Sequence, residues 1–324
     1  MGIGPLVAVA SRSFSRHPVL RAELLAKYPN VRFNETRHTL TGEALIRFLS
    51  GAEKAIIGLE RIDDATLAAQ PSLTLISKYG VGFDLIDLES MQRRGVRLGW
   101  TPGVNRRSVA ELVLAFTLAL LHRIPEATRA LQGGKWEQPA GRQLTGKTVG
   151  VLGCGNVGRD VSVLMRAFEC RVLAHDILDF PDFYAGHGVE PVQLDVLLAE
   201  SDIVTLHVPL DSSTAGMLTA ARLGSMRPGA FLINTARGGL IDEAALAVLL
   251  DTGRLGGVAV DVYAVEPPEI NGILGRPNVI ATPHIGGSTG EAILAMGRAA
   301  LGGLDAGKIP DQNWPVSRQR PVAD

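Results

Sequence analysis

The feature that most constrains this chain is a glycine-rich turn between a predicted strand and a predicted helix. The turn reads Gly153-Cys154-Gly155-Asn156-Val157-Gly158, and the largely apolar residues 148–152 lead into it. In a βαβ unit with this spacing, the first glycine permits a tight turn and the second lets the backbone approach a pyrophosphate. The third lets helix and strand pack closely, and the helix N-terminus offers free N–H groups to the phosphates. The spacing therefore predicts a dinucleotide site.

An acidic residue follows the next predicted strand, where such units bind ribose. This residue, Asp176, would accept hydrogen bonds from the adenine ribose hydroxyls and would repel a 2′-phosphate. Ile177 and Leu178 come next, so no Arg or Lys stands directly after Asp176 to bind such a phosphate. The pattern favours NAD over NADP. The alternative is that Asp176 is only a turn residue at the end of a strand.

Short apolar segments alternate with helical patterns on both sides of the glycine turn, as in parallel sheets covered by helices. The predicted strands are residues 6–10, 55–58, 73–77, 96–99, 148–152, 171–175, 203–207, 231–234, 257–260 and 279–281. The last six match a doubly wound nucleotide-binding domain. The chain of 324 residues is long enough for about two domains.

A long apolar helix lies between the two groups of strands. Ser108 is its predicted N-cap, and Glu111 stands at the capping-box position. The helix is apolar nearly all round over residues 112–121, which is typical of a helix buried between domains or at a subunit interface. The Gly-rich and polar residues 132–146 are predicted to form a surface loop.

Charge and cysteine content exclude several classes of protein. The formal net charge is −1, so no overall field draws the chain to nucleic acid or to an anionic membrane. The two cysteines, Cys154 and Cys170, form no CxxC pair, which argues against a disulfide framework and a structural metal site. The longest apolar stretch is shorter than the ~20 residues that span a bilayer. We expect a cytoplasmic protein that binds no metal, nucleic acid or membrane.

Three residues with complementary chemistry each follow a predicted strand of the second group. They are Arg237, Glu266 and His284. Ligands of doubly wound sheets bind beyond the carboxyl ends of the strands, so these side chains are expected to converge. A guanidinium binds a carboxylate through two parallel hydrogen bonds, and an imidazole can take a hydroxyl proton while a hydride leaves. A carboxylate beside the imidazole would orient it and favour its protonated form.

Each of these residues has an ordinary alternative. Arg237 could be a surface cation, Glu266 a loop residue before two prolines, and His284 a turn residue after a proline. Their order along one sheet favours the functional interpretation. The combination suits the oxidation of an alcohol next to a carboxylate.

At this point the chain resembles the D-isomer-specific 2-hydroxyacid dehydrogenases, and most of all their phosphoglycerate dehydrogenase-like branch. The resemblance extends over roughly residues 6–303. Besides the glycine turn and Asp176, it is carried by Lys78–Asp84, Pro102–Asn105, Ser108–Glu111, Thr235–Gly239, Asp261–Pro268 and Thr282–Ser288.

The resemblance implies roles for individual residues. Arg237 would bind the substrate carboxylate and polarise the carbonyl, and His284 would be the acid/base with Glu266 as its partner. The N–H groups of Val81 and Gly82 would also hold the carboxylate, with Lys78 and Asn105 on the substrate side. The implied NAD contacts are Gly153, Gly155, Asn156, Val157, Gly158, Asp176, Val208, Thr235, Ala236, Asp261 and Gly286. The branch often has Thr at position 208, so only a backbone contact from Val208 would remain.

The resemblance also implies the architecture: an α/β fold of two doubly wound parallel-sheet domains with the active site in the cleft between them. Residues 1–100 plus 290–324 would form a discontinuous, flavodoxin-like substrate domain. Residues 101–289 would form the Rossmann NAD-binding domain. The family is usually homodimeric, with residues 108–136 in the interface. We expect no serine feedback through the regulatory domain of the longer forms.

The substrate stays open at this level. Lys78, Arg106 and Arg107 suggest a second anionic group on the acid, as in 3-phosphoglycerate or a phosphonate, although all three could be solvated surface cations. A glyoxylate or hydroxypyruvate reductase is the alternative within the family. A formate or phosphite dehydrogenase on this scaffold and a non-enzymatic NAD-sensing protein are the alternatives outside it.

Overall fold

The computed structural model describes residues 4–36, 38–269 and 272–311. Within these, residues up to Asn105 and from Thr289 onward form one compact unit, and Arg106–Ser288 form the other. We call them unit 1 and unit 2. The end of the predicted substrate domain, residues 312–324, lies outside the described part of the chain.

The strands, in chain order, are β1 (Val7–Val9), β2 (Val31–Phe33), β3 (Lys54–Ile57), β4 (Leu75–Lys78), β5 (Arg97–Gly99), β6 (Thr148–Leu152), β7 (Arg171–His175), β8 (Val189–Pro191), β9 (Ile203–Leu206), β10 (Ala230–Asn234), β11 (Leu255–Val260) and β12 (Val279–Ala281). The helices are α1 (Arg12–Arg16), α2 (Pro18–Lys27), α3 (Gly42–Leu49), α4 (Asp64–Ala68), α5 (Leu88–Arg94), α6 (Arg106–Leu121), α7 (Ile124–Gln132), α8 (Asn156–Ala167), α9 (Pro181–His187), α10 (Leu194–Glu200), α11 (Ala220–Ser225), α12 (Glu243–Asp251) and α13 (Gly290–Ala306), with a 3-10 turn at Gly272–Gly275.

The described residues of unit 1 form a parallel five-stranded sheet in the order β2-β1-β3-β4-β5, which is a flavodoxin-like order. Apolar clusters cover both faces of the sheet. Helix α13 belongs to this unit because its backbone lies directly on β5. A Cβ atom at Gly99 would stand 2.3 Å from the Gly303 carbonyl oxygen, so this contact requires glycine.

The described residues of unit 2 form a parallel seven-stranded sheet in the order β12-β11-β10-β9-β6-β7-β8. Strand β6 pairs with β7 on one side and with β9 on the other, so the strand order reverses beside β6. Ligands of open α/β sheets bind at such a switch point, beyond the carboxyl ends of the strands. The glycine-rich turn follows β6 and therefore lies at that point. Both sheets confirm the predicted parallel α/β fold.

Helix α6 begins earlier than the sequence indicates. It starts at Arg106, and Ser108 lies inside it rather than capping it. The Ser108 hydroxyl instead donates to the carbonyl of Gly286 (2.5 Å), so a tertiary contact replaces the predicted capping box. Among the described residues no single helix is long and apolar enough to cross a membrane, although α6 and α7 together meet that test across a 62° bend.

Candidate active site

Two of the three turn glycines are fixed by close packing. Gly153 has a φ of +95°, and a Cβ atom there would stand 2.7 Å from the carbonyl carbon of His207. At Gly158 a Cβ atom would stand 2.0 Å from the Gly153 carbonyl oxygen. Any side chain at either position would push the turn away from its neighbours. The backbone of His207 and Val208, after β9, thus forms one wall of the turn.

The third glycine faces open space. A Cβ atom at Gly155 would meet no atom within 4 Å, and Gly155 caps α8 without a side-chain hydrogen bond. The first N–H groups of a helix, here those of Asn156 and Val157, have no partner within the helix. Open space beside such donors and the positive end of the helix dipole suits a pyrophosphate. The turn therefore fits the phosphates of NAD.

Asp176 lies just after β7, beside the glycine turn. Its Oδ2 accepts a hydrogen bond from the Cys154 N–H (2.6 Å), and its Oδ1 accepts one from the Leu178 N–H (2.9 Å). The carboxylate is therefore held against the turn in a fixed orientation. A carboxylate has about four lone-pair sites, so both oxygens keep capacity for ribose hydroxyls.

We expect Asp176→Ala to weaken NADH binding about tenfold or more, since a hydrogen bond to a charged group is worth about 1.5–3 kcal/mol. It should also reduce discrimination against NADPH, because the repelling charge is gone. Fluorescence titration with both cofactors measures the two Kd values. Asp179→Ala, at an exposed position nearby, is the matched control. Unchanged Kd values for NADH and NADPH would leave Asp176 as a turn residue only.

The turn after β10 carries Thr235, Ala236 and Arg237. The buried Asn234 closes it, because its Nδ2 donates to the Arg237 carbonyl (2.8 Å) and its Oδ1 accepts from the Ala236 N–H (3.0 Å). The Thr235 hydroxyl is buried and has no hydrogen-bond partner among the described residues. A buried polar group without a partner is costly, so this hydroxyl suits a contact to a bound ligand.

Arg237 is half-buried, and its Nη1 donates to the carbonyl of Ala236 (2.7 Å). The next residue, Gly238, packs directly on the loop that follows β11. A Cβ atom at Gly238 would stand 2.0 Å from the Tyr263 carbonyl carbon. The Arg237 turn is therefore held against the loop that carries Glu266.

Glu266 and His284 meet as the sequence predicts. His284 Nδ1 lies 2.9 Å and 3.1 Å from the two carboxylate oxygens of Glu266. The Tyr263 N–H donates to the same carboxylate (3.1 Å), which fixes its orientation. The two side chains are 45% and 39% exposed, so a ligand can reach them. With Nδ1 on the carboxylate, Nε2 is the atom left to exchange a proton with a substrate.

The loop that carries His284 is held by a buried carboxylate, Asp261. Its Oδ1 accepts from the Ile285 N–H (2.7 Å) and the Thr282 hydroxyl (2.6 Å), and its Oδ2 accepts from the Gly286 N–H (2.7 Å). His284 has a φ of +54°, which is unfavourable for a residue with a side chain. The sequence predicts cofactor contacts for Asp261 and Gly286. In the structure, the Asp261 carboxylate accepts from the Gly286 N–H and so holds the His284 loop in place. The sequence did not predict this positioning role.

A second histidine, His207, lies at the same edge of the sheet but is unsuited to acid/base work. Its Nε2 lies 3.0 Å from the Thr205 hydroxyl. Burial lowers the pKa of His207 to about 3, so the ring is neutral and very weakly basic at physiological pH. Of these two histidines, His284 is the candidate base.

In unit 1, the predicted substrate residues are Lys78 at the end of β4, Val81 and Gly82 in the turn after it, and Asn105 after β5. The N–H groups of Val81 and Gly82 donate no hydrogen bond within the described part of the chain, whereas the Val81 carbonyl accepts from Trp100 Nε1 (2.7 Å). Lys78 is 6% exposed, and its Nζ donates to the carbonyl of Gly58. Asn105 is half-buried at the end of the unit.

The sequence also suggests Arg106 and Arg107 as partners for a second anionic group of the substrate. In unit 2, Arg107 Nη2 lies 3.1 Å from Asp160 Oδ1, and Arg106 Nε lies 3.6 Å from Asp160 Oδ2. Both arginines therefore have an acidic partner, and Lys78 is turned into the protein. The structure gives all three cations partners within the protein.

Comparison with known proteins gives the family. Residues 114–286 match the family described as D-isomer specific 2-hydroxyacid dehydrogenase, NAD binding domain. A D-3-phosphoglycerate dehydrogenase from Archaeoglobus fulgidus is 38% identical over 81% of this chain and 51% of its own length. A hydroxypyruvate reductase from Thermotoga maritima is 41% identical over 70% of this chain and 74% of its own length. The chain thus spans about half the length of the phosphoglycerate dehydrogenases it matches.

A solved structure has the same fold. It is that of a D-isomer specific 2-hydroxyacid dehydrogenase from Polaromonas sp., with a TM-score of 0.86 and 29% identity, covering 93% of this chain and 96% of that one. The predicted resemblance is confirmed, and NAD is confirmed as the cofactor of the matched domain. The chain belongs to the D-isomer-specific 2-hydroxyacid dehydrogenases, in their phosphoglycerate dehydrogenase-like branch.

Proposed function

We propose that this chain is an enzyme that moves a hydride between NAD(H) and a D-2-hydroxy acid or its 2-oxo acid. The observation that carries the proposal is the Glu266–His284 pair, with Nδ1 of the imidazole on the carboxylate. This pair follows strands of the same sheet as the glycine turn, which fits a pyrophosphate. An imidazole that is oriented by a carboxylate at one nitrogen suits proton exchange with a substrate at the other.

The proposed mechanism assigns one task to each residue. When bound, NAD takes up or supplies the hydride. His284 Nε2 accepts the hydroxyl proton in oxidation and returns it in reduction, while Glu266 orients the ring. Arg237 binds the carboxylate and polarises the carbonyl, because a guanidinium offers paired donors to such a group. We infer a carboxylate contact as well for the N–H groups of Val81 and Gly82, which donate no hydrogen bond within the described ranges.

The remaining site predictions become part of the same proposal. Unit 2 would be the NAD-binding domain, and unit 1 the substrate domain with Asn105 at its edge. The expected NAD contacts are Gly153, Gly155, Asn156, Val157, Gly158, Asp176, Val208, Thr235, Ala236, Asp261 and Gly286.

We further propose a cytoplasmic homodimer; light scattering of the purified protein measures its mass in solution.

For the substrate we propose a small acid with one carboxylate, of the hydroxypyruvate or glyoxylate class, rather than a phosphorylated acid. The supporting observation is that Lys78, Arg106 and Arg107 all have partners within the protein. A second anionic group would have to displace those contacts. The similarity to a hydroxypyruvate reductase over 74% of that enzyme's length points the same way.

The test is a substrate panel followed by NADH absorbance. It comprises hydroxypyruvate, glyoxylate, 3-phosphohydroxypyruvate and phosphonopyruvate, with formate and phosphite assayed in the presence of NAD. We expect kcat/KM for hydroxypyruvate or glyoxylate to exceed that for both phosphorus-containing 2-oxo acids by about tenfold or more. Turnover of formate or phosphite alone would show that the chain is a formate or phosphite dehydrogenase instead. Tight NADH binding without any turnover would favour an NAD-sensing protein.

A further inference from the structure

A buried carboxylate, Glu60, lies among cations at the carboxyl edge of the unit 1 sheet. It follows β3 and is 1% exposed, and Lys78, at the end of the neighbouring β4, is 6% exposed. Glu60 Oε2 accepts a hydrogen bond from the Gly58 N–H (2.6 Å), and Lys78 Nζ donates to the Gly58 carbonyl. The oppositely charged side chains of Glu60 and Lys78 therefore both bind the backbone of Gly58.

A third charge, that of Arg12, comes from the helix after β1, which is the strand on the other side of β3. Strands β1, β3 and β4 are neighbours in the sheet, and Arg12 starts the helix that follows β1. Burial raises the pKa of Glu60, while the Gly58 N–H and the charges of Lys78 and Arg12 oppose that rise. With Glu60 ionised, the cluster carries two positive charges and one negative charge. Removal of the negative charge would double its net positive charge.

The cluster lies directly beneath the turn that we propose to bind the substrate carboxylate. A Cβ atom at Gly80 would stand 4.0 Å from Lys78 Nζ. The next two residues, Val81 and Gly82, carry the N–H groups that donate no hydrogen bond to any described residue. Glu60 and Lys78 are buried, whereas Arg12 is exposed. Interactions of buried charges are weakly screened by salt, so a change in the charge of Glu60 or Lys78 acts on an anion bound at this turn.

We propose that Glu60 is a specificity residue, whose negative charge offsets one of the two cations and so weakens the preference of this edge for acids that carry a second anionic group. The inference rests on the proposed function, because it takes the Val81 and Gly82 N–H groups as the carboxylate site. A ligand with a second anionic group feels the cluster more strongly than a monoanion does. Glu60 therefore weakens the binding of a dianionic acid more than that of a monoanionic acid.

The test substitutes Glu60→Gln, which removes the charge and keeps an oxygen that can accept from the Gly58 N–H. In the presence of NADH, which cannot accept a hydride from either acid, thermal shifts give the Kd values of D-glycerate and D-3-phosphoglycerate. The preference for the phosphorylated acid should rise about tenfold, the order expected for one partly buried charge acting over several ångströms. The ratio of kcat/KM for 3-phosphohydroxypyruvate to that for hydroxypyruvate should rise in parallel.

Glu53→Gln is the matched control. It makes the same change at an exposed residue just before β3, at the opposite end of the same strand, and should leave both ratios unchanged. Lys78→Met should shift the preference toward the monoanion. The double variant Glu60→Gln/Lys78→Met, which has the wild-type net charge, should return the preference close to the wild-type value.

The double variant also keeps the test decisive if Glu60→Gln alone fails to fold. Equal preferences in Lys78→Met and in the double variant, or an unchanged preference in a folded Glu60→Gln, would overturn the proposal. Because ligand binding is measured without turnover, the result for Glu60 stands apart from the proposed activity. Absence of turnover with every acid would count against the activity and not against Glu60.

Discussion

Substitution of His284 by alanine is expected to lower kcat by about two to four orders of magnitude, the usual contribution of a positioned acid/base. NADH binding should change little, because the phosphate turn and Asp176 lie after other strands. The buried His207, at the same edge of the sheet, cannot take over, since burial lowers its pKa to about 3. Stopped-flow measurement of NADH oxidation, together with an NADH titration, separates the two effects.

The control for this variant is His187→Ala. His187 is exposed on α9 and stacks on Phe183 (4.5 Å between ring centroids), so its loss tests the substitution itself. It should leave kcat within about twofold of the wild-type value, as exposed substitutions rarely cost more than 0.5 kcal/mol. A His284→Ala variant with wild-type kcat would show that the acid/base assignment is wrong.

The parts of the fold that sequence predicts well are those with strong local constraints. The central strands are runs of buried Val, Ile and Leu bounded by turn residues, and Gly153 and Gly158 of the phosphate turn are dictated by close backbone packing. Strands β2 and β8 escaped prediction because they are short and only partly buried. Val31–Phe33 and Val189–Pro191 owe their structure to pairing with a neighbouring strand, which a single segment does not reveal.

The part of the site that the sequence predicts is the part fixed by the strand order. Glu266 and His284 each follow a strand of one parallel sheet, and that alone brings them to one edge. Side-chain partners were not predictable in the same way. The sequence predicts Ser108 as a helix cap and Lys78 as a surface cation or a substrate contact, but both side chains donate to carbonyls distant in sequence. Such contacts depend on tertiary packing, for which local sequence carries no signal.

The Asp261 side chain illustrates the same limit and leads to the second large effect that we expect. Asp261→Asn should lower kcat by about tenfold to a hundredfold and destabilise the fold by about 1–3 kcal/mol, the cost of a buried donor left without an acceptor. An asparagine has one acceptor oxygen, so it cannot accept from the N–H groups of both Ile285 and Gly286 through separate oxygens. The positive φ of His284 stores strain of about 1–3 kcal/mol. Once a hydrogen bond to Asp261 is lost, this strain favours relaxation of the loop.

Two readouts distinguish a positioning role from a direct cofactor contact or a general loss of folding. If Asp261 positions His284, kcat falls while the Kd of NADH stays near the wild-type value, whereas a lost cofactor contact would raise that Kd first. With NADH deuterated at C4, the isotope effect on kcat should grow, because a misplaced acid/base slows the chemical step. A smaller folded fraction lowers kcat without changing the isotope effect. Asp251→Asn, an exposed carboxylate paired with Arg276, is the matched control, and an equal loss of kcat there would remove the case for positioning.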